Sequence, residues 1–227
     1  MSVSIINLGQ RRLVIADPKM AEVIDLAKRA SKTTSPVFLC GESGSGKELI
    51  ARYIHNESNR GKGPFVTINC AAVPDGLMES ELFGHERGAF TGAVAQHLGK
   101  FERATNGTLL LDEVSEMSIH LQAKLLRVLQ EGELDRLGGR DIVPINCRVI
   151  STTNRDPKES ISQSLFREDL FYRLNVIKRT KLSHLTLAKI RGADIVKFRD
   201  ERLMVAAANT VKNELNTTFT YAACNIC

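Results

Sequence analysis

The chain has 227 residues, 43% hydrophobic and 25% charged, a mix that buries a core of ordinary size and excludes disordered, collagen-like and low-complexity classes. No apolar run approaches ~18 residues, and residues 1–12 lack the apolar stretch of a secretory signal, so the sequence predicts a cytoplasmic protein without a membrane span. The net charge of +5 is uneven: residues 1–177 hold 22 Lys+Arg and 22 Asp+Glu, whereas residues 178–227 hold 9 and 4, which leaves the body no general case for nucleic-acid binding.

The first helix is announced by Asp17-Pro18, a capping residue with proline at the first helical position. Met20, Val23, Ile24 and Ala27 then recur at helical spacing until residues 31–36 break the pattern. Val37 to Cys40 is a short apolar strand that runs into a glycine-rich turn, and a helix is predicted over 47–59. A second strand covers 65–70, and residues 107–113 form a buried strand that ends in two carboxylates. An amphipathic helix follows over 118–131, then a strand over 148–154 and a helix over 163–174. Apolar strands alternating with helices predict an α/β fold, a doubly wound parallel sheet covered on both faces. In such a sheet functional groups lie beyond the carboxyl ends of the strands. Four strand ends here carry the glycine turn, Asn69, Asp112-Glu113 and Thr153-Asn154.

The turn reads Gly41, Glu42, Ser43, Gly44, Ser45, Gly46, Lys47, Glu48. Strand, glycines, lysine and helix in that order make a phosphate-binding loop: backbone N–H groups and the helix N-terminus face the phosphates, and Lys47 reaches the terminal ones. The general pattern places Ser or Thr after the lysine to ligate magnesium, and Glu48 stands there instead, so an accidental glycine turn is the alternative. Asp112 is placed to hold the Mg²⁺ shell through water, and Glu113 to orient and deprotonate an attacking water; a pair of helix-capping acids is the alternative here. The two sites together predict nucleoside triphosphate hydrolysis.

GESGSGKE, FVTINCAAV (65–73), ESELFGHERGAFTGA (79–93), GTLLLDE and FREDLFYRLNV (166–176) together resemble the AAA+ domain of sigma-54-dependent transcriptional activators, the bacterial enhancer-binding proteins. The likeness runs continuously over about 17–177, and in that family the residue after the loop lysine is commonly Glu. It implies a P-loop AAA+ core with ATP and Mg²⁺ as cofactors, a hexameric ring, and contact with the sigma-54 RNA polymerase holoenzyme through Gly88, Ala89, Phe90, Thr91, Gly92 and Ala93. Read as residues alone, that segment is a mobile glycine-alanine loop with an aromatic tip, or else a tight turn with Phe90 tucked inside. The resemblance also implies that Asn69 holds Glu113 off the water until a partner engages, against the alternative of a strand-end Asn serving local backbone. Thr153 and Asn154 match the sensor of the γ-phosphate. Arg167 and Arg173 match arginine fingers. On one helix these two point about 120° apart, and an ordinary Asp169–Arg173 ion pair is the alternative.

After Ile177 the likeness largely fails. Residues 191–195 (RGADI) are similar to the opening of the family's helical lid, and 32 residues follow, short for a lid and too few for a DNA-binding domain. Leu203, Ala207, Val211 and Leu215 stripe one helix, without a second to make a DNA reader. The expected division is an N-terminal extension over 1–16, an ATPase core over 17–177 and a basic, divergent lid remnant over 178–227, as in a truncated or frameshifted activator. Cys40, Cys70 and Cys147 sit in or beside strand-like runs, and Cys224 and Cys227 form one C-x-x-C without a second pair, so all five are expected as unpaired thiols without zinc. Two functions follow: an ATPase that remodels sigma-54 polymerase, or a non-catalytic fragment that binds nucleotide weakly and acts on full-length relatives. A P-loop ATPase unrelated to transcription leaves GAFTGA as coincidence.

Overall fold

The computed structural model describes residues 4–9, 11–15 and 17–175; the features named above beyond 175, namely the lid-like 191–195, the 203–215 stripe and the terminal C-x-x-C, lie outside the described residues. In chain order the elements are β1 (Ser4–Leu8), β2 (Arg11–Ile15), α1 (Pro18–Ser31), β3 (Val37–Cys40), α2 (Lys47–Asn56), β4 (Phe65–Asn69), α3 (Asp75–Phe83), α4 (Lys100–Arg103), β5 (Thr108–Asp112), α5 (Ile119–Glu131), β6 (Glu133–Asp135), β7 (Ile142–Pro144), β8 (Arg148–Thr153), α6 (Pro157–Ser162) and α7 (Glu168–Leu174). Four of the strands form a parallel sheet in the order β3-β8-β5-β4. The pairs β1–β2 and β6–β7 are separate antiparallel hairpins. Among the described residues no helix is long and apolar enough to cross a membrane.

Side chains alternate across a strand, and the sheet sorts them into two cores. Phe38, Ile68, Leu109, Leu111 and Val149 face one way, against Met78, Leu82 and Phe83 of α3, Phe101 of α4, Leu121 and Leu125 of α5, and Leu170 and Leu174 of α7. Val37, Leu39, Leu110 and Ile150 face the other way, against α1 and α2. This is the doubly wound arrangement the sequence predicts. Asp17 caps α1 as expected, with its carboxylate accepting from the N–H of Lys19 at 2.7 Å.

The far end of α1 is held by Arg148, which is buried. Its guanidinium donates to the carbonyls of Ala30 (2.8 Å), Ser31 (3.2 Å) and Ser35 (3.3 Å). A cation on the last carbonyls of a helix meets both their free acceptors and the negative end of the dipole. Burial pulls its pKa down to about 10.

The helix expected over 163–174 forms only over its second half. Helix α6 stops at Ser162, Ser164 takes a left-handed backbone (φ 58°), and α7 begins only at Glu168. The cause is tertiary: buried Gln122 of α5 donates to Leu165 O at 2.9 Å and accepts from the N–H of Arg167 at 2.8 Å, which holds the link extended. Cys40, Cys70 and Cys147 are free thiols, and burial pushes Cys70 and Cys147 up to about 12, as suits packing and not thiolate chemistry.

His55 lies buried in α2, with Nδ1 2.9 Å from Thr108 Oγ1 and its ring 5.0 Å from that of Phe65. Burial, then the charge of Arg52, hold its pKa below the ordinary 6.5. The unfolded chain therefore binds more protons than the folded one near and below pH 6.5, so this contribution to stability is present above that pH and lost as pH falls through the window. We expect the urea midpoint to fall between pH 7.5 and 5.5, with a shallower fall in His55→Gln; identical slopes for the two proteins exclude His55 as the cause.

Candidate functional site

The glycine turn leaves β3 at Gly41, whose N–H donates to Thr153 O at 3.1 Å. Gly46 caps α2 in a left-handed backbone (φ 85°, ψ 19°) that L side chains rarely adopt. That conformation lets the chain reverse into the helix with its first N–H groups facing outward over the turn. Lys47 is only 6% exposed. Its ammonium donates to the carbonyls of Gly41 (3.0 Å) and Glu42 (3.1 Å) and stands 3.4 Å from Glu113 Oε1. Ser45 Oγ closes the turn on Glu42 O at 2.7 Å. Glu48 pairs along α2 with Arg52 at 3.0 Å, and that guanidinium lies 4.7 Å over the ring of Phe65.

The two acids end β5. Asp112 Oδ1 accepts from Thr152 Oγ1 at 2.6 Å, and Glu113 N donates to that hydroxyl at 3.1 Å. Glu113 has a left-handed backbone (φ 54°, ψ 51°), and its Oε2 accepts from the N–H of Asn154 at 2.7 Å. The sheet thus brings the phosphate-loop lysine, both acids and Asn154 to one edge. Thr153 differs from its neighbour: it is buried, its hydroxyl 2.7 Å from Ser115 Oγ and accepting from the N–H of Arg155. Only Asn154 of the sensor pair is exposed.

Asn69 ends β4 beside the strand-end acids, as expected, but its contact is with Asp112. It lies in register with Asp112, so its carboxamide reaches Asp112 Oδ2 (3.4 Å) and not Glu113. Its oxygen accepts from the N–H groups of Ala71 and Ala72, the local backbone service weighed as the alternative. The arginines are also corrected. Arg167 precedes α7 and does not lie on it, so the 120° geometry does not apply. It pairs with Asp169 at 2.7 Å and holds that carboxyl below its usual range. Arg173 donates to Leu129 O, so the Asp169–Arg173 pair is not made.

The GAFTGA loop belongs to the segment between α3 and α4. Its segment leaves the core at Gly84 and returns at Gly99, where added Cβ atoms would stand 2.6 Å from His97 O and 2.5 Å from Gly84 N respectively. His85 and His97 exchange backbone hydrogen bonds just above. Arg136, from the turn between β6 and β7, grips the base through Glu86 (2.7 Å) and Glu102 (2.6 Å). Arg136 first, then Gln96, lower the pKa of Glu86. At the tip Thr91 is exposed and Phe90 is 42% exposed, its ring centroid 4.9 Å from that of His85 in an edge-on arrangement. A groove of about 700 Å³ runs from Ala89 past Val128 and Leu134 to Ile142.

Sequence reasoning missed Thr152, Gln122 and Arg136, each of which acts on residues at least 34 positions away. For Thr152 the signal is the register of β5 with β8, which no local pattern carries.

A family model described as Sigma-54 interaction domain matches residues 13–180. The transcriptional regulatory protein FlbD of Caulobacter vibrioides is 55% identical over 189 residues, covering 83% of this chain and 41% of FlbD. Regulatory protein AtoC of Escherichia coli is 53% identical over 174 residues, 77% of this chain and 36% of AtoC. The crystal structure of NtrX from Brucella abortus in complex with ATP superposes with a TM-score of 0.67 at 40% identity, over 73% of this chain and 36% of that one. The chain therefore spans roughly two fifths or less of the length of these relatives.

A half-exposed Phe90 has little to lose. Phe90→Ala should cost under about 1 kcal/mol of unfolding free energy, against the ~3–5 kcal/mol of a core Phe truncation. A loss of that larger size by urea denaturation means the ring is part of the core.

Proposed function

Because the chain belongs to the Sigma-54 interaction domain family, with its P-loop AAA+ fold, we propose that it is the ATP-binding and ATP-hydrolysing module of a sigma-54-dependent transcriptional regulator. The observation that carries the chemistry is the convergence of Lys47, Asp112 and Glu113 at one sheet edge, with Lys47 Nζ 3.4 Å from Glu113 Oε1.

The loop backbone and the N-terminus of α2 bind the phosphates, and Lys47 exchanges its carbonyl partners for the terminal phosphate oxygens. Glu113 takes the proton of the attacking water, its carboxylate aimed by the N–H of Asn154. Asn154 reads the γ-phosphate. Asn69 bears on the pair of acids through Asp112.

Mg²⁺ suits these residues. It binds through one or two carboxylates plus substrate phosphates and water and needs no all-protein cage. Asp112 offers one carboxylate, and no cluster of three or more His, Cys, Asp or Glu able to hold a metal stands among the described residues. Bound there, the ion supplies charge neutralisation to the phosphates. Arg167 and Arg173 act across a subunit boundary in a homo-oligomeric ring, releasing Asp169 and Leu129 O to reach a neighbour's nucleotide. Such fingers contribute about 10³–10⁵ in rate. Phe90 and Thr91, on a loop rooted at Gly84 and Gly99, meet sigma-54.

Lys47→Ala should weaken ATP binding at least about tenfold, the loss of a charge-assisted hydrogen bond. Glu113→Gln should bind ATP normally and lose about 10²–10⁴ in turnover. Equal ATP affinity in wild type and Lys47→Ala, by titration calorimetry, removes the phosphate-loop assignment; full turnover in Glu113→Gln removes the base.

A further inference from the structure

Thr152 meets both acids with one oxygen. Its side chain is buried at the end of β8, with Oγ1 2.6 Å from Asp112 Oδ1 and 3.1 Å from Glu113 N. The direction of each bond is fixed by the groups involved. An ionised carboxylate only accepts, so the hydroxyl proton goes to Asp112; a backbone N–H only donates, so a hydroxyl lone pair receives Glu113. The bond to Asp112 is short and charge-assisted.

Each contact has a consequence for geometry. Tethering Oδ1 fixes the rotation of the Asp112 carboxylate and turns Oδ2 toward Asn69, which reaches it only at 3.4 Å. Holding Glu113 N supports a left-handed backbone (φ 54°), which a residue with a Cβ adopts only when its surroundings impose it. That backbone brings the Glu113 carboxylate to Lys47 and to the N–H of Asn154. One hydroxyl therefore sets the aim of both acids relative to each other.

We propose that Thr152 is the positioning residue of the strand-end acids, fixing Asp112 toward the metal ion and Glu113 toward the attacking water. The inference rests on the roles given to those two acids above. Its removal should disturb what the acids do with Mg²⁺ and water, and leave the phosphate loop's grip on nucleotide alone, because the Thr152 hydroxyl is engaged by Asp112 and Glu113.

Thr152→Val keeps the shape and the β-branch but not the hydroxyl; Thr152→Ser keeps the hydroxyl but not the methyl. A fluorescent ATP analogue is titrated into wild type and both variants without Mg²⁺ and then at rising Mg²⁺, with steady-state turnover measured alongside. For Thr152→Val the expected result is Mg²⁺-free affinity within about threefold of wild type. The Mg²⁺ midpoint should rise and kcat fall, each by roughly 10- to 100-fold, the usual effect of losing an outer partner of a metal-binding group. Thr152→Ser should stay close to wild type in all three. The proposal is overturned if Thr152→Val matches wild type in Mg²⁺ midpoint and kcat. It is equally overturned if Thr152→Ser is as impaired as Thr152→Val, or if Thr152→Val also loses Mg²⁺-free binding, since either result makes the role one of packing. A wild-type chain without Mg²⁺-dependent nucleotide binding overturns the functional reading itself, and that is seen before any variant is made.

Discussion

The register between the central strands decides where every polar group of the site stands. Leu111 of β5 pairs with Ser151 of β8, and Asn69 of β4 pairs with Asp112. These pairings carry Asp112 out of the apolar strand beside Thr152 on one flank and Asn69 on the other. A slip of one residue exchanges the faces of a whole strand. A slip in one direction would bury Asp112 in the place of Leu111, and a slip in the other would push Leu111 out to the edge, so the buried run of residues 109–111 ending in a carboxylate enforces the register that the chemistry uses. The stability of the core and the placement of the acids are one constraint.

The same sheet keeps two kinds of work apart. The face packed by α1 and α2 supports the phosphate loop, because Ile50, Ala51 and Ile54 anchor α2 against Leu39 and Leu110. The opposite face carries α3, α4, α5 and α7, from which the GAFTGA segment emerges. At the strand ends Glu113 touches both Lys47, at the head of α2, and Asn154 beyond β8. Gln122 ties α5 to the start of α7, and Arg173 ties α7 back to Leu129. The arginine-bearing helix is thus fixed to the face that carries the loop and not to the one that carries the lysine.

Much of this was legible before the structure. Asp17-Pro18 is local chemistry, and the structure starts α1 there; strands 108–112 and 148–153 are apolar enough to declare a sheet covered on both sides. The strand ends named Lys47, Asp112, Glu113 and Asn154 correctly as neighbours, because parallel topology sends all carboxyl ends to one edge. Failures came where a distant group overrides local preference. Residues 163–174 keep a helical pattern, yet Gln122 takes the backbone of 165 and 167. The strand ends put Asn69 beside both acids, but only register shows that its carboxamide meets Asp112. The hairpins β1–β2 and β6–β7 are short, three to five residues a strand, and gave too little alternation to read.

The glycine pinch at Gly84 and Gly99 bears on how this protein can vary. Both ends of the intervening segment leave the core at one point, so the core is already closed without it. Chain added between those ends faces only the entropy of a longer closed loop, about 0.6 kcal/mol for each doubling of length. The pinch itself tolerates no such freedom, since any side chain there collides with backbone. Added chain therefore costs little stability at the crest of the segment, whereas a single methyl group at its root costs much.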